Sequence, residues 1–254
     1  MNPSMRILGV IPARYASTRL PGKPLSDING KSMVQRVVEQ AARSRMLSEV
    51  VVATDDRRIV DHVHGFGGKA VLTSSEHPSG TDRCWEALEL SGTGRFDGVV
   101  NIQGDEPFIA PAQIDEVCAC LMQPDVSIAT LAQVVHTDED LDDPGEVLIA
   151  VDVRMNALYF SRAAIPYLRN PGEGPRHRQF RYLKHVGLYA YTADALRQIV
   201  SLPPSSLELA ESLEQLRWLE NGHPVRVGIT EHASFCVDTP ADLEAARAMA
   251  RKLD

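Results

Sequence analysis

Two hydrophobic periodicities alternate along the first half of the chain. Short apolar runs at 6–12 (RILGVIP) and 49–54 (EVVVAT) are typical of buried strands, and apolar residues recur at helical spacing over 34–41. The alternation continues with helices predicted near 57–66, 81–90 and 114–121 and strands near 69–73 and 98–103. Repeated βα units predict an α/β fold with a mostly parallel sheet flanked by helices, whose ligands bind at the carboxyl ends of the strands.

The middle of the chain has a different pattern. Strands are predicted at 126–135, 147–151, 157–160 and 186–191 with few helical intervals, which indicates a mixed-sheet region. Residues 169–184 are rich in proline, glycine and basic residues, and we expect an exposed excursion that is either mobile or in contact with a second subunit. The last third predicts a helix over 207–220, a strand near 224–229 and a closing helix from Pro240.

Composition narrows the class of protein. The 254 residues are 44% hydrophobic and 24% charged, enough apolar material for one large domain or two modest ones. The net charge of −8 disfavours a general nucleic-acid binder. Because the chain has neither a long apolar run nor the layout of a signal peptide, we expect a cytoplasmic protein without a membrane partner. The four scattered cysteines (84, 118, 120 and 236) predict reduced core thiols rather than disulfides or a zinc site.

A basic loop follows the first strand. Residues 13–25 (ARYASTRLPGKPL) carry Arg14, Arg19 and Lys23, and such cations at the carboxyl end of a strand can neutralise phosphate oxygens. The loop has neither a Walker-type glycine pattern nor a dinucleotide fingerprint. On spacing alone, a polyphosphate site and a solvated basic turn stay equally open.

An acidic candidate follows a later strand. Asp105 lies in NIQGDEP (101–107), just beyond an apolar run. A carboxylate there can hold a magnesium ion that bridges substrate phosphates, and Gly104 would let the backbone approach a ligand closely. The alternative, of equal weight, is an aspartate that only stabilises a turn.

A second acidic candidate precedes the last helix. In VDTPADL (237–243), Thr239 as N-cap, Pro240 and Asp242 predict a helix start. Asp238 is left over, either as an exposed turn acid or as a second carboxylate for the same metal. The residues alone favour the turn acid.

The segment HPSGTDR (77–83) lies between a strand and a helix. Ser79 and Thr81 could cap the helix and do nothing more. Backbone N–H groups at the helix start, with Arg83 one turn in, could instead contact a nucleotide or its phosphates. The second half of the chain adds polar pairs that are singly more typical of surface than of a site: 161–162, 184–185 and 214–215.

Together these segments closely resemble the 3-deoxy-D-manno-octulosonate (Kdo) cytidylyltransferase family. IPARYASTRLPGKPL resembles its signature, and HPSGTDR, NIQGDEP, ALYFSRAAIP, KHVGLYAY, ESLEQLRWLENG and VDTPADLE follow in the family's order. The resemblance implies a nucleotide-diphospho-sugar-transferase-like (Rossmann-like) α/β fold and a homodimer joined through the mixed-sheet region. It also implies a magnesium-dependent reaction for lipopolysaccharide biosynthesis, in which CTP and Kdo give CMP-Kdo and pyrophosphate.

The resemblance implies roles for individual residues. The catalytic set would be Arg14, Arg19 and Lys23 on the triphosphate with Asp105 and Asp238 on the metal. Further CTP contacts would be Ala13, Ser17, Ser79, Gly80, Thr81, Arg83 and Gln103. The sugar-acid pocket would be lined by Gln103, Arg162, His185, Tyr189, Glu214 and Gln215. Within a single domain, 1–125 would bind the nucleotide, 126–206 the sugar and the second subunit, and 207–254 would return to the nucleotide and metal site.

Departures from the family pattern bear on the identity of the sugar acid. Leu148 stands where members often carry a lysine, and Pro78 and Asp82 replace frequent glutamine and glutamate. A cytidylyltransferase for 8-amino-Kdo or another related acid therefore stays open. A sugar-1-phosphate nucleotidyltransferase is disfavoured because the opening loop is not glycine-rich. A silent nucleotide-binding module is disfavoured because the basic loop and both aspartates are retained.

Overall fold

The chain folds as two units, each with its own strands and helices. A computed structural model describes residues 5–16, 20–92 and 94–253. The first unit comprises Met1–Cys118 and His232–Asp254, and the second comprises Ala119–Glu231. This division reflects which residues pack together and not what they bind. The functional portions 1–125, 126–206 and 207–254 therefore stay a prediction. None of the helices in the described ranges has both the length and the apolar character needed to cross a membrane.

The main strands of the first unit are parallel, as the βα alternation predicts. They are β1 (Ile7–Pro12), β4 (Leu47–Thr54), β5 (Ala70–Leu72) and β6 (Gly98–Asn101), in the spatial order β5-β4-β1-β6. A small antiparallel hairpin, β2 (Asp27–Ile28) and β3 (Lys31–Ser32), lies between β1 and β4 in sequence. The unbroken apolar run of β1 is buried from Ile7 to Ile11, as expected of a parallel strand covered on both faces.

Helices follow these strands at the positions that the apolar spacing predicts. They are α1 (Met33–Ala41), α2 (Arg57–Gly65), α3 (Gly80–Gly92), α4 (Pro111–Leu121) and α10 (Pro240–Leu253). Side-chain caps fix two of the starts: Ser32 accepts the N–H of Gln35 (3.2 Å), and Asp56 accepts the N–H of Arg58 (2.9 Å). Because β1 and β6 are parallel neighbours, the loops after them leave from one edge.

The second unit contains the mixed region. Its strands are β7 (Ile128–Val134), β8 (Leu148–Val151), β9 (Ala157–Ser161), β10 (Leu183–Thr192) and β11 (Arg226–Ile229). β11 is parallel to β7, whereas the pairs β7–β10, β10–β8 and β8–β9 are antiparallel. Its helices are α5 (Glu139–Asp142), α6 (Arg176–Gln179), α7 (Ala193–Ile199), α8 (Ser206–Glu211) and α9 (Gln215–Glu220). The predicted change from βα repeats to a mixed strand arrangement is confirmed.

The single helix predicted over 207–220 is wrong. Ser212 adopts a left-handed conformation with φ 54°, which ends α8, and α9 begins at Gln215. An ion pair links the two helices across this break, since Arg217 Nε on α9 donates to Glu208 Oε2 on α8 (2.7 Å). Apolar residues at helical spacing continue through both helices, so periodicity could not locate the break.

The prediction of an exposed excursion over 169–184 is confirmed except at its end. Residues 169–175 and 178–181 are exposed, but Tyr182 and Leu183 are buried and the segment enters β10 at Leu183. Asp138 anchors the excursion by accepting the backbone N–H groups of Arg176 and His177 (both 3.0 Å). These backbone N–H bonds, with that of His177 foremost, lower the pKa of Asp138 to about 2.

Candidate functional site

The basic loop leaves the carboxyl end of β1. Ala13 is buried and donates its N–H to the carbonyl of Ala53 (2.9 Å), so the loop starts in register with β4. Arg14 is exposed, and its guanidinium donates to the carbonyl of His77 in HPSGTDR. Ser17 and Arg19 lie outside the described residues, and their roles stay predictions.

Lys23 is brought between the two predicted metal ligands. Gly22, with φ 70°, turns the chain in the left-handed region, and a short 3₁₀ helix starts at Lys23. The Lys23 Nζ lies 2.7 Å from Asp105 Oδ2 and 2.9 Å from Asp238 Oδ1. Burial lowers the pKa of Lys23, but the charges and hydrogen bonds of the two aspartates outweigh burial and raise it. The ammonium is therefore fully charged at neutral pH.

Asp105 is held at the edge of β1 by the close approach of Gly104. A Cβ at Gly104 would lie 2.6 Å from the carbonyl oxygen of Pro12, closer than real Cβ atoms come to any atom. Only glycine lets the loop after β6 pass this close to the end of β1. The position of Asp105 thus depends on the residue before it.

We expect Gly104→Ala to destabilise the protein by about 1–3 kcal/mol and to lower turnover at least about tenfold, because a backbone clash displaces Asp105. Gly65→Ala is the matched control: its new Cβ would meet nothing within 4 Å. Denaturant unfolding and pyrophosphate release measure the two effects. Equal stability and turnover for the two variants would contradict the role of Gly104.

Asp238 is fixed by the start of α10. Val237 donates its N–H to the carbonyl of Asp105 (2.9 Å), which joins the two acidic segments. Asp242 Oδ2 accepts the N–H groups of Asp238 (3.0 Å) and Thr239 (2.8 Å), and Thr239 Oγ1 accepts the N–H of Asp242 (3.2 Å). The predicted helix start is confirmed. The same cap places Asp238 beside Lys23, opposite the carboxylate of Asp105. Asp238 is therefore one of a pair of carboxylates, although the residues alone favoured an exposed turn acid.

Asp105 and Asp238 have the donor chemistry of a magnesium site. Two carboxylates converge on one ammonium, which shows that the position favours a cation, and hard oxygen ligands suit magnesium. Cys236 completes a group of three whose ligand atoms all lie within 4.8 Å of one another. Although the residue as a whole is exposed, burial around the Cys236 sulfur and then the charges of the two aspartates raise the pKa of the thiol, so it stays neutral and is a poor magnesium ligand. The prediction of a core thiol holds for the buried Cys84 and Cys118 and is wrong for Cys236, and Cys120 is half-buried.

Glu106 is a site residue that the sequence reasoning missed. Its side chain is 6% exposed, and its Oε2 has no hydrogen-bond partner within the described ranges. Burial, together with the charge of Asp105, raises the pKa of Glu106 to about 7. The feature of the sequence that could have pointed to Glu106 is its position between Asp105 and a proline in the motif NIQGDEP.

The segment HPSGTDR reaches the same edge of the first unit. Ser79 Oγ accepts the N–H groups of Thr81 (3.1 Å) and Asp82 (3.2 Å), so the capping role is confirmed for Ser79, whereas Thr81 lies within α3. A Cβ at Gly80 would lie 3.6 Å from Pro12 Cγ and 3.7 Å from Asn101 Nδ2, which places Gly80 over the ends of β1 and β6. The half-buried Gln103 follows β6 on the same loop as Asp105.

Arg83 lies beneath this edge and not on it. Its side chain is 0% exposed, and Nη1 donates to Thr73 Oγ1 (2.5 Å) and lies 3.7 Å from Asp55 Oδ1. Its Nε and Nη2 have no partner in the part of the chain that the structure describes. A buried guanidinium with open donors is suited to a polar ligand, and its contact with cytidine stays a prediction.

In the second unit, His185 and Tyr189 lie together on β10. Thr130 Oγ1 donates to the carbonyl of Leu188 (2.9 Å) and lies 3.2 Å from His185 Nε2, so it accepts from an Nε2–H tautomer and leaves Nδ1 as an acceptor. The His185 and Tyr189 rings are 5.1 Å apart, and Tyr189 packs edge-on against Trp218 of α9 (5.1 Å). Both predicted sugar contacts therefore belong to one aromatic cluster.

The remaining predicted sugar contacts lie on β9, its exit and α9. Arg162 is exposed directly after β9, and its guanidinium donates to the carbonyls of Glu211 (Nε, 2.9 Å) and Pro144 (Nη1, 3.1 Å). Glu214 precedes the first turn of α9, and Gln215, its first residue, is buried. Their contact with a sugar acid stays a prediction.

Acid should destabilise the fold through His185. Burial lowers the pKa of His185 to about 3, against about 6.5 in an unfolded chain, so below pH ~6.5 only the unfolded state takes up this proton. The free energy of unfolding should fall by up to about 1.4 kcal/mol per pH unit as the pH drops from ~6.5 towards ~3. His185→Gln removes this slope in denaturation at several pH values, whereas the exposed control His64→Gln keeps it. Parallel pH profiles for the two variants would contradict the assignment.

Comparisons with known proteins agree with the fold and the motifs. A profile described as cytidylyltransferase matches residues 8–229. The 3-deoxy-manno-octulosonate cytidylyltransferase of Phocaeicola vulgatus is 53% identical over 251 residues, 98% of each chain. The 8-amino-3,8-dideoxy-manno-octulosonate cytidylyltransferase of Shewanella piezotolerans is 45% identical over 241 residues, 94% of this chain and 96% of the relative.

Solved structures confirm the predicted fold class. The CMP:2-keto-3-deoxy-manno-octonic acid synthetase complexed with CTP has a TM-score of 0.90 and 43% identity, and the match covers 98% of this chain and 100% of that one. A cytidylyltransferase from Leptospira borgpetersenii has a TM-score of 0.63 at 16% identity over 98% of this chain and 87% of its own, which shows the shared fold alone.

Proposed function

Because the chain belongs to the 3-deoxy-manno-octulosonate cytidylyltransferase family, we propose that its first unit binds CTP with magnesium and its second unit binds the sugar acid. The chain is a nucleotidyltransferase that joins CMP from CTP to Kdo and releases pyrophosphate. The observation that carries the site assignment is the convergence of Asp105 and Asp238 on the Lys23 ammonium. A cytoplasmic location and a role in lipopolysaccharide biosynthesis are part of this proposal.

The first unit supplies the charge for a triphosphate. Lys23 and the exposed Arg14 are the described cations of the loop after β1, and they can balance the negative charge that builds on pyrophosphate as it leaves. Asp105 and Asp238 would hold the metal. When bound, magnesium supplies Lewis-acid polarisation of the α-phosphate and lowers the pKa of a nearby hydroxyl.

The reaction is a direct displacement at phosphorus. The anomeric oxygen of Kdo forms a bond to the α-phosphorus, the bond from that phosphorus to the bridging oxygen of pyrophosphate breaks, and the hydroxyl proton passes to solvent. No nucleophilic side chain is needed, so the rate depends on orientation and electrostatics. The fixed loops that carry Gly104 and Asp238 supply that orientation.

The second unit offers complementary groups for a polyhydroxy acid. Arg162 carries the charge that a sugar carboxylate needs, and the neutral His185 offers Nδ1 as an acceptor for a hydroxyl. Tyr189 is 7% exposed and lies beside His185 on the same strand. A phenol hydroxyl can both donate to and accept from the hydroxyls of a sugar.

The 8-amino analogue is the second candidate substrate. It is the substrate named for the Shewanella piezotolerans relative, at 45% identity. Leu148, the departure that raised this alternative, is fully buried in a cluster with Val135, Leu141 and Tyr182. Leu148 therefore has a packing role, and Kdo is favoured as the main substrate because it is the sugar acid named for the relatives at 50–53% identity.

A homodimer through the second unit is also part of the proposal. Leu158 on β9, Val153 before it and Leu209 on α8 are exposed apolar side chains of this unit. Exposed apolar residues are typical of a protein interface when they lie together on a surface.

Pyrophosphate release tests the proposed function. The purified chain is assayed with CTP and magnesium in the presence of Kdo, 8-amino-Kdo, N-acetylneuraminate or no acid. Release with Kdo in preference to the other acids supports the proposal. Preference for 8-amino-Kdo selects the second candidate, and no release from folded protein that binds CTP contradicts an active enzyme.

A further inference from the structure

We propose that Glu211 is a positioning residue that holds Arg162 in place for the carboxylate of the sugar acid. The inference rests on the proposed function, in which Arg162 binds that acid. It concerns one face of the second unit, where the end of α8 meets the exit of β9.

Glu211 fixes both the main chain and the side chain of Arg162. Its Oε2 accepts the backbone N–H of Arg162 (3.0 Å), and its Oε1 accepts the hydroxyl of the buried Ser161 (2.8 Å). The main-chain carbonyl of Glu211 accepts from Arg162 Nε (2.9 Å). These three hydrogen bonds to Glu211 therefore fix the backbone at Arg162 and the orientation of its guanidinium.

This arrangement orients the guanidinium without neutralising it. The Glu211 carboxylate binds a backbone N–H and a hydroxyl, whereas Arg162 Nε and Nη1 meet neutral carbonyls, those of Glu211 and Pro144. No ion pair of Arg162 occurs within the described residues. The positive charge is thus oriented and still available for an anionic ligand, with which a guanidinium forms its strongest hydrogen bonds.

The break between α8 and α9 makes these contacts available. In a continuous helix, the Glu211 carbonyl would accept the N–H of Gln215 four residues on. Because Ser212 turns into the left-handed region (φ 54°, ψ 46°), α8 ends at Glu211 and its carbonyl is free to accept from Arg162. A non-glycine residue in this region is strained, and such strain clusters at functional sites.

Glu220 is a matched control on the neighbouring helix. Its carboxylate also accepts one serine hydroxyl (Ser206 Oγ, 2.8 Å) and one backbone N–H (Leu207, 3.0 Å). Both carboxylates thus bind a serine hydroxyl and a backbone N–H, and Glu211 Oε1 also lies 3.5 Å from the Tyr159 hydroxyl, but of the two glutamates only Glu211 contacts Arg162. Glutamine at either position keeps the shape and one acceptor.

The test compares Glu211→Gln with Glu220→Gln. We expect Glu211→Gln to raise KM for Kdo about tenfold while KM for CTP stays within about twofold, and Glu220→Gln to change neither beyond about twofold. Both variants should lose similar stability in denaturant unfolding, which separates positioning from folding. Equal KM values for Kdo in the two variants overturn the proposal.

A double-mutant cycle tests whether Glu211 acts through Arg162. In an Arg162→Lys background, Glu211→Gln should raise KM for Kdo by less than about twofold, and a full tenfold effect there overturns the proposal. Wild-type protein that turns over no sugar acid contradicts the proposed function instead. Positioning is then judged by NMR exchange of Arg162 Nε–H, expected about tenfold faster in Glu211→Gln than in Glu220→Gln, with equal rates overturning it.

Discussion

Asp105→Asn is expected to lower kcat for pyrophosphate release by at least about a hundredfold, and Asp238→Asn by a similar factor. Asparagine keeps the shape of the side chain but removes the negative charge that a magnesium ion requires. Steady-state kinetics at saturating CTP and Kdo, with magnesium titrated, measure the effect. The magnesium concentration for half-maximal turnover should rise in both variants.

Asp194→Asn is the control for these two substitutions, because the Asp194 side chain is 85% exposed and lies in the second unit. It should keep wild-type turnover. All three variants should unfold within about 1 kcal/mol of the wild type, as expected of exposed or partly exposed polar positions. Full turnover by folded Asp105→Asn would show that the metal site lies elsewhere.

Lys23→Met is expected to have opposite effects on turnover and on stabilisation by metal. Loss of the ammonium should lower kcat/KM for CTP about a hundredfold, because a cation facing the triphosphate is gone. The same change removes the ammonium that lies between Asp105 and Asp238, so their two negative charges repel each other more strongly. Magnesium should therefore stabilise Lys23→Met against thermal unfolding more than it stabilises the wild type.

Lys252→Met, at an exposed position near the end of α10, is the matched control for Lys23→Met. It should leave turnover and the magnesium-induced change in Tm as in the wild type. Thermal scans with and without magnesium at one protein concentration give the comparison. An equal magnesium effect on the Tm of Lys23→Met and Lys252→Met would contradict the placement of Lys23 between the metal ligands.

Most of the fold of the first unit could be predicted because its signals are local. Apolar runs marked β1 and β6, and helical spacing marked the helices between them, so the edge that carries Asp105 followed from topology. Asp238 could not be placed in the same way. Its neighbours explained the start of α10, and only the three-dimensional fold brings residue 238 to Lys23 on a loop 215 positions earlier.

Other features depend on tertiary contacts that leave no periodic trace. The break at Ser212 interrupts an apolar spacing that continues on both sides of it, and the contacts of Glu211 join residues about 50 positions apart. Glu106 is a charged residue in a polar motif, so its burial could not be deduced from the sequence.

Phosphorus NMR of CTP, Kdo and magnesium incubated with the purified chain tests transfer to the sugar acid directly. CTP should disappear as one pyrophosphate and one CMP phosphodiester appear together in equal amounts, and neither should form when Kdo is left out. Appearance of CDP with orthophosphate, or of free CMP in place of the phosphodiester, would contradict transfer from the α-phosphorus to the sugar acid.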